Sequence, residues 1–353
     1  MDSEFLPESS LIPAPAPINF RDRSGGLMAC GIIQIILGGL AALGIPFVLL
    51  GALVSSKAGA AMPAGTYFLS IISYAITAAA LITLGVGSIR VRRWARALTL
   101  IVSWGWLVVG ILMTVLLTAV MPAAFSEGFR RAAQANPAAN SMPTGIIAAV
   151  LTFVIVLFTV FLVIIPSGFL LFYSRKDVLE TFQFRDPSPG WTDRCPLPVL
   201  AASLMYGYGA GYYLLTSFSA PLVPFFGRYL TGIPGALGCL VLTALGAYLA
   251  VSLFRLQLTA WWVAVVVLVV RIISAILTNL HADLLQAYSR MGWGHQTLHE
   301  MSNNPMLRGK VMLWWSVGYM VVFLGYLLWL RRYFPPPRTT GPTPSEAPVL
   351  PLA

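Results

Sequence analysis

Acidic side chains are scarce in this chain, and its long apolar runs contain none. Twelve Asp and Glu stand against twenty-two Lys and Arg, and charged residues make up only 10% of the 353. About a quarter is usual for a soluble domain, so an ordinary soluble fold is excluded. Cysteine is nearly absent too. Cys30, Cys195 and Cys239 have no metal-type spacing, which argues against a disulfide framework. The three histidines all fall in one link. No nucleophile with a neighbouring base, no phosphate loop and no carboxylate pair stands at a readable spacing. The chain is therefore not expected to be an enzyme, and no cofactor is expected. The net charge of +10 would suggest nucleic acid in a soluble protein. Here the basic residues lie in the links between apolar runs, so they report membrane orientation and no nucleic-acid partner is expected.

Hydrophobic residues are what the sequence has in abundance, at 58%. A helix needs about 20 apolar residues to cross about 30 Å of hydrocarbon. Eight segments qualify: 27–54, 66–89, 97–121, 145–173, 197–218, 233–254, 259–280 and 311–331. The first follows a leader with Asp2, Glu4 and Glu8 rather than a short basic one, so it reads as a retained span and not a secretory signal. The fourth is longer than a span requires, and bends are expected at Pro166 with Gly168 and, in the first segment, at Pro46.

Eight spans put both ends on one side. The links on that side, with the termini, hold fourteen Lys and Arg, and those on the other side hold seven. The excess predicts cytosolic termini and a cytoplasmic (plasma) membrane location. The strongest contribution comes from SIRVRRWARAL, a tight hairpin with Arg90, Arg92, Arg93 and Arg96 and no acid.

Sliding the chain on itself by 165 residues lays GVGSIRVRRWARALTLIVSWGW over AVSLFRLQLTAWWVAVVVLVVR, with Arg90 on Arg255 and Ala95 on Ala260. Each half then has a short outer link, an inner hairpin and a long outer link. The expected fold is an all-α integral membrane protein whose eight transmembrane helices form two parallel four-helix repeats. Its parts are a disordered tail (1–25), a first repeat (26–174), a connector (175–196), a second repeat (197–333) and a disordered proline-rich tail (334–353). Asp177, Glu180, Asp186 and Asp193 in the connector could pair with the arginine hairpin.

One charge sits inside a span. VVVLVVRIISAIL places Arg271 among apolar residues, and burying a permanent cation without a partner is costly. Helical spacing puts Ala264, Val267, Ser274, Ala275 and Thr278 on its face, a small and polar stripe that should look inward. Arg271, Ser274 and Thr278, with Gln34 from the first span, form the candidate ligand site between the repeats, suited to an anionic small molecule or lipid headgroup. The competing reading is an arginine that fixes helix register through carbonyls and hydroxyls. Its counterpart in the first half is Trp106, so the charge is not duplicated.

Three weaker signals remain. His281, His295 and His299 share the last outer link, and HQTLH puts two of them on one helix face. They are candidate metal ligands if a third comes near, though a surface interfacial helix is the favoured reading. Ser203, Gly207 and Gly211 recur every fourth residue, a small-residue stripe for close packing against a helix of the other half or a second protomer, hence a homodimer. Tyr206, Tyr208, Tyr212 and Tyr213 flank that stripe and could line a cavity or serve as packing residues. The phrase RDPSPGWTDRCPLPVL and the RxRRWAR hairpin resemble segments of uncharacterised multi-pass bacterial membrane proteins; the resemblance covers a small part of the chain and implies no activity. Two functions follow from the residues: a small transporter or ligand- or lipid-binding protein embedded in the bilayer, or a non-catalytic membrane scaffold or sensor subunit.

Overall fold

The computed structural model describes residues 21–57, 62–135, 144–303 and 309–334; the proline-rich tails expected to be disordered lie outside them. Twelve α-helices and one two-stranded hairpin are found among the described residues. They are α1 (Ser24–Lys57), α2 (Ala64–Ile89), α3 (Arg93–Ala135), α4 (Thr144–Thr159), α5 (Ile165–Tyr173) and α6 (Lys176–Arg185). The second group is α7 (Leu197–Ser219), β1 (Leu222–Phe225), β2 (Arg228–Thr231), α8 (Gly232–Phe254), α9 (Leu258–His281), α10 (Leu284–Arg290), α11 (His295–Ser302) and α12 (Gly309–Leu330). Six helices are long and apolar enough to cross a membrane, consistent with a multi-pass membrane protein: α1, α2, α3 up to Ala119, the continuous run Ala148–Tyr173, α8 and α9. The other two expected spans, α7 and α12, have 23 and 22 residues and fall outside that set. Four tyrosines and three glycines dilute the apolar character of α7.

Small residues set the pairing of helices within each group. α1 lies on α2 where Gly31 meets Gly85; a Cβ on Gly85 would stand 2.6 Å from the Gly31 carbonyl oxygen, so no larger residue fits there. α7 lies on α8 in the same manner, with Ser203 Oγ donating to the Ala250 carbonyl at 2.6 Å and Gly246 against Ala210.

The expected bend near Pro166 takes a specific form. α4 passes into α5 through a π-helical turn, Val160–Ile164. Proline at 166 has no N–H, so the Leu162 carbonyl four residues earlier loses its helical donor. Gly110 of α3 approaches that oxygen so closely that a Cβ there would lie 2.0 Å from it. Pro46 lies within α1, which continues to Lys57.

Both inner hairpins turn through a left-handed residue. Val91 has φ 52° between α2 and α3, and Leu256 has φ 56° between α8 and α9, 165 positions later. The flanking bonds match: Arg92 N–H donates to the Gly87 carbonyl at 2.9 Å, and Gln257 N–H to the Ser252 carbonyl at 3.1 Å. Farther along, Arg96 Nε donates to the Tyr173 carbonyl at 3.1 Å, and Trp261 Nε1 to the Leu327 carbonyl at 2.7 Å. Each bond ties the third long helix of its group to the fourth.

The connector docks against the first hairpin. Asp186 accepts from the Arg93 backbone N–H at 3.1 Å and lies 3.8 Å from Arg92, while Asp193 lies 4.0 Å from Arg93. Asp177 pairs instead with Arg23 at 3.2 Å, and Glu180 is exposed. Val178 and Phe182 of α6 are fully buried beside Tyr173 and Leu27, so the amphipathic face of the connector helix completes an apolar core with the charges outside it.

The short outer link between α7 and α8 is not a plain loop. It forms the β1–β2 hairpin, which pairs Leu222 with Thr231 and Phe225 with Arg228. Phe226 and Gly227 form its turn with φ 37° and 90°, the positive values that suit a two-residue hairpin turn.

Candidate ligand cavity

A cavity of about 200 Å³ lies among α7, α8, α9 and α12. Arg271 lines it from near the middle of α9. Its guanidinium Nη2 donates to the Tyr213 hydroxyl of α7, and its Cζ lies 5.1 Å from the centre of the Tyr213 ring. The stripe of small residues on α9 explains the placement. Ala264, Ala275 and Leu268 are buried on the same face, which turns Arg271 into the bundle and not toward lipid.

The remaining wall is apolar and aromatic. Tyr206 and Phe323 approach with ring centres 5.7 Å apart, and Tyr319 stacks on Phe323 at 6.5 Å. Met205 and Met320 add flexible sulfur-containing side chains. Among the described residues, Arg271 is the one charged residue lining the cavity, and no Asp or Glu lines it. Among the described residues, Tyr213 provides the one hydrogen-bond acceptor that Arg271 has, although a guanidinium carries five N–H donors.

The four residues expected to share a ligand site do not meet. Arg271 faces the cavity, but Ser274 and Thr278, one and two turns along α9, serve the hairpin. Ser274 Oγ accepts from the Phe226 N–H at 3.0 Å and donates to the Pro224 carbonyl at 3.1 Å; Thr278 Oγ1 accepts from the Gly227 N–H at 3.1 Å. Both hydroxyls therefore supply acceptors to the backbone N–H groups of a part-buried turn. Gln34 belongs to a separate network in the first group. It donates to Thr99 Oγ1 at 3.2 Å and accepts from Ser88 Oγ at 3.4 Å, and the Tyr173 hydroxyl closes the chain on Ser88 at 2.8 Å. The cavity thus lies inside the second helix group and not between the two groups.

The small-residue stripe packs on a neighbour within its own group. Ser203 and Gly207 face Ala250 of α8, whereas a Cβ on Gly211 would meet nothing. For Ser203 and Gly207 the packing partner is therefore α8 of the same group. The histidines are not gathered. His281 Nδ1 lies 2.9 Å from the Leu277 carbonyl, His299 Nδ1 3.3 Å from Asn303 Nδ2, and His295 opens α11. Among the described residues no three His, Cys, Asp or Glu side chains come together as a metal site. The three cysteines are free; burial pushes the Cys195 thiol up to about 11, which leaves it protonated and unreactive at neutral pH.

Spacing does separate the tyrosines that matter. Tyr206 and Tyr213 are seven apart, two helical turns, and both line the cavity, while Tyr208 and Tyr212 are exposed at 64% and 41%. Tyr319 and Phe323 of α12, four apart, complete the wall; their spacing marks a shared face, but nothing in it distinguishes a cavity from core. Compared with protein-family models, with curated proteins and with solved structures, the chain matches none, and its own geometry carries the functional reading.

Proposed function

We propose that this is an eight-span ligand-binding protein of the bacterial cytoplasmic membrane, of transporter or receptor type, that receives an anionic group at Arg271. α7 and α12 complete the eight spans in this reading, because their 23 and 22 residues match the 23 and 24 of α8 and α9. Both termini and the connector face the cytosol in this reading, which the basic excess on that side supports. Arg332 over Trp329 at 3.7 Å and Arg331 over Trp261 at 5.7 Å are suited to the same interface, where a charged head stays wet above an aromatic belt.

The two groups are read as parallel repeats that diverged inside. The left-handed residues Val91 and Leu256 and the bonds of Arg96 and Trp261 support a shift of 165 residues. Gly31 on Gly85 and Gly38 on Ala78 correspond to Ser203 on Ala250 and Ala210 on Thr243, if α7 is offset from α1 by 172 residues while the later helices keep the shift of 165. With these equivalences, Gln34 falls on Tyr206, Thr99 on Ala264 and Ser88 on Leu253. The first group fills its interior with a closed polar network; the second has apolar side chains there and a cavity beside them. This supports a division between a structural half and a binding half.

The observation that carries the proposal is a single guanidinium in an otherwise apolar cavity, with one tyrosine as its hydrogen-bond acceptor. The test is an experimental map of the purified chain in lipid nanodiscs. Ordered density against Arg271 in the wild type, lost in Arg271→Gln, is expected. A dry, collapsed cavity in both would favour the scaffold reading instead.

A further inference from the structure

We infer that the ligand is a single-chain monoanionic amphiphile, a carboxylate on a short apolar chain, bound with its head on Arg271 and its tail among α7, α8 and α12. This rests on the reading of the cavity as a ligand site and specifies the chemistry that would fill it.

The charge count limits the head. One guanidinium balances one negative charge, and among the described residues no second cation lines the cavity. A phosphate dianion would leave a full charge uncompensated in an apolar space, which is strongly unfavourable for an unpaired ion. A carboxylate needs no second cation, and its two oxygens match the planar fork of arginine. Tyr213 takes one N–H of that fork from the side of α7, leaving the others for the incoming oxygens.

The wall selects the rest of the molecule. Leu242, Leu245, Leu249, Val267 and Leu268 offer no polar atom beyond their backbone, and the Tyr206 and Tyr319 hydroxyls carry no charge, so a zwitterionic tail would be stripped of water without a counter-ion. A volume of about 200 Å³ accepts on the order of seven water-sized groups, taking about 30 Å³ each. That is a carboxylate with a chain of five or six carbons; a two-chain phospholipid exceeds it. The methionine and aromatic lining tolerates variation in chain shape, so the site discriminates by charge and length more than by branching.

Equilibrium binding to the full chain in neutral phosphatidylcholine nanodiscs tests this with hexanoate, 1-hexanol and inorganic phosphate, and with phosphatidylglycerol discs in place of neutral ones. Hexanoate should saturate at one site per chain, with affinity rising about fourfold per methylene from butanoate to hexanoate and then levelling. 1-Hexanol should bind at least about tenfold more weakly. Arg271→Gln should cost hexanoate a similar factor, and Arg271→Lys, which keeps the charge without the fork, should fall between. Leu245→Trp leaves Arg271 untouched but fills the cavity; it should abolish binding and keeps the test sound if Arg271→Gln does not fold. Equal affinity for hexanol and hexanoate would overturn the carboxylate assignment while the cavity remained a ligand site. So would preferential capture of phosphate, or of phosphatidylglycerol, through Arg271. Failure of every probe to bind the wild type would overturn the ligand-site reading as well.

Discussion

Tyr213 of α7 holds Arg271 of α9 in two ways, by accepting a hydrogen bond from its guanidinium and by presenting its ring 5.1 Å below it. Because that is the one acceptor Arg271 has among the described residues, the cation contributes little to holding the bundle together. Arg271→Met should cost no more than a hydrogen bond to a charged group, about 1–3 kcal/mol, read as a fall of a few degrees in the thermal midpoint in detergent. Tyr213→Phe removes the hydrogen bond but keeps the ring under the cation, so it should cost less, and the double variant should cost about as much as Arg271→Met alone. If Arg271→Met cannot be purified folded while Tyr213→Phe can, the arginine is a structural anchor.

Ser274 and Thr278 are predicted to act on the hairpin and on nothing beyond it. Ser274→Ala and Thr278→Val each leave a turn N–H of Phe226 or Gly227 without its acceptor, at a cost of about 1–3 kcal/mol. Amide exchange should accelerate in 222–231, with α7 and α12 unchanged. Loss of hexanoate binding without faster exchange in the hairpin would place these hydroxyls in the ligand site.

Val91 and Leu256 should respond alike to substitution. A non-glycine residue in the left-handed region costs roughly 1–2 kcal/mol. Glycine relieves that cost while deleting the side chain, and alanine deletes the side chain while keeping the strain. At both positions glycine should therefore be less destabilising than alanine in thermal unfolding. Opposite orders at the two sites would argue against equivalent hairpins.

Gly110→Ala is predicted to be strongly destabilising for a single added methyl. Its Cβ would lie 2.0 Å from the Leu162 oxygen, so α3 and the π turn must separate. Overpacking costs about 1–3 kcal/mol. Gly168→Ala, which meets nothing within 4 Å, serves as the control and should be neutral.

Acid should loosen the N-terminal clamp. Asp22 is held below the usual aspartate range, first by the Ser24 backbone N–H and further by the Ser24 hydroxyl and Arg185. A carboxyl lowered in the folded state stabilises at any pH above its unfolded value, and the gain is lost as pH falls through the folded value. Proteolysis near Arg23 should therefore rise below about pH 4 and be insensitive to pH between about 6 and 8. Asp22→Asn should remove the dependence.

Much of this architecture is legible in the sequence because a bilayer permits few solutions. Apolar runs of about 20 residues must be helices, since a backbone in hydrocarbon has no other internal partner for its polar groups. The proline at 166 announces a bend, and Arg90 and Arg255 announce two hairpins of the same kind. The connector acids could be paired with the hairpin arginines on charge alone, yet sign does not assign partners. Asp177 went to Arg23 because α6 lies beside the start of α1, a distance that no local pattern encodes.

The site was only half legible. The cost of burying Arg271 identified it from the sequence, but the four tyrosines of α7 were left undivided until the cavity singled out Tyr206 and Tyr213. Gln34, Ser274 and Thr278 looked equally suitable because a polar group in an apolar run reads the same whether it faces a ligand, a turn or another side chain. The sequence by itself determined which residues could not face lipid, through the free energy of placing polar atoms in hydrocarbon. Only the tertiary structure decided what each of them faces instead. Partner choice depends on which helices pack together, and contacts between residues as far apart as 213 and 271 are set by the closeness of α7, α8, α9 and α12, not by any local preference of the chain.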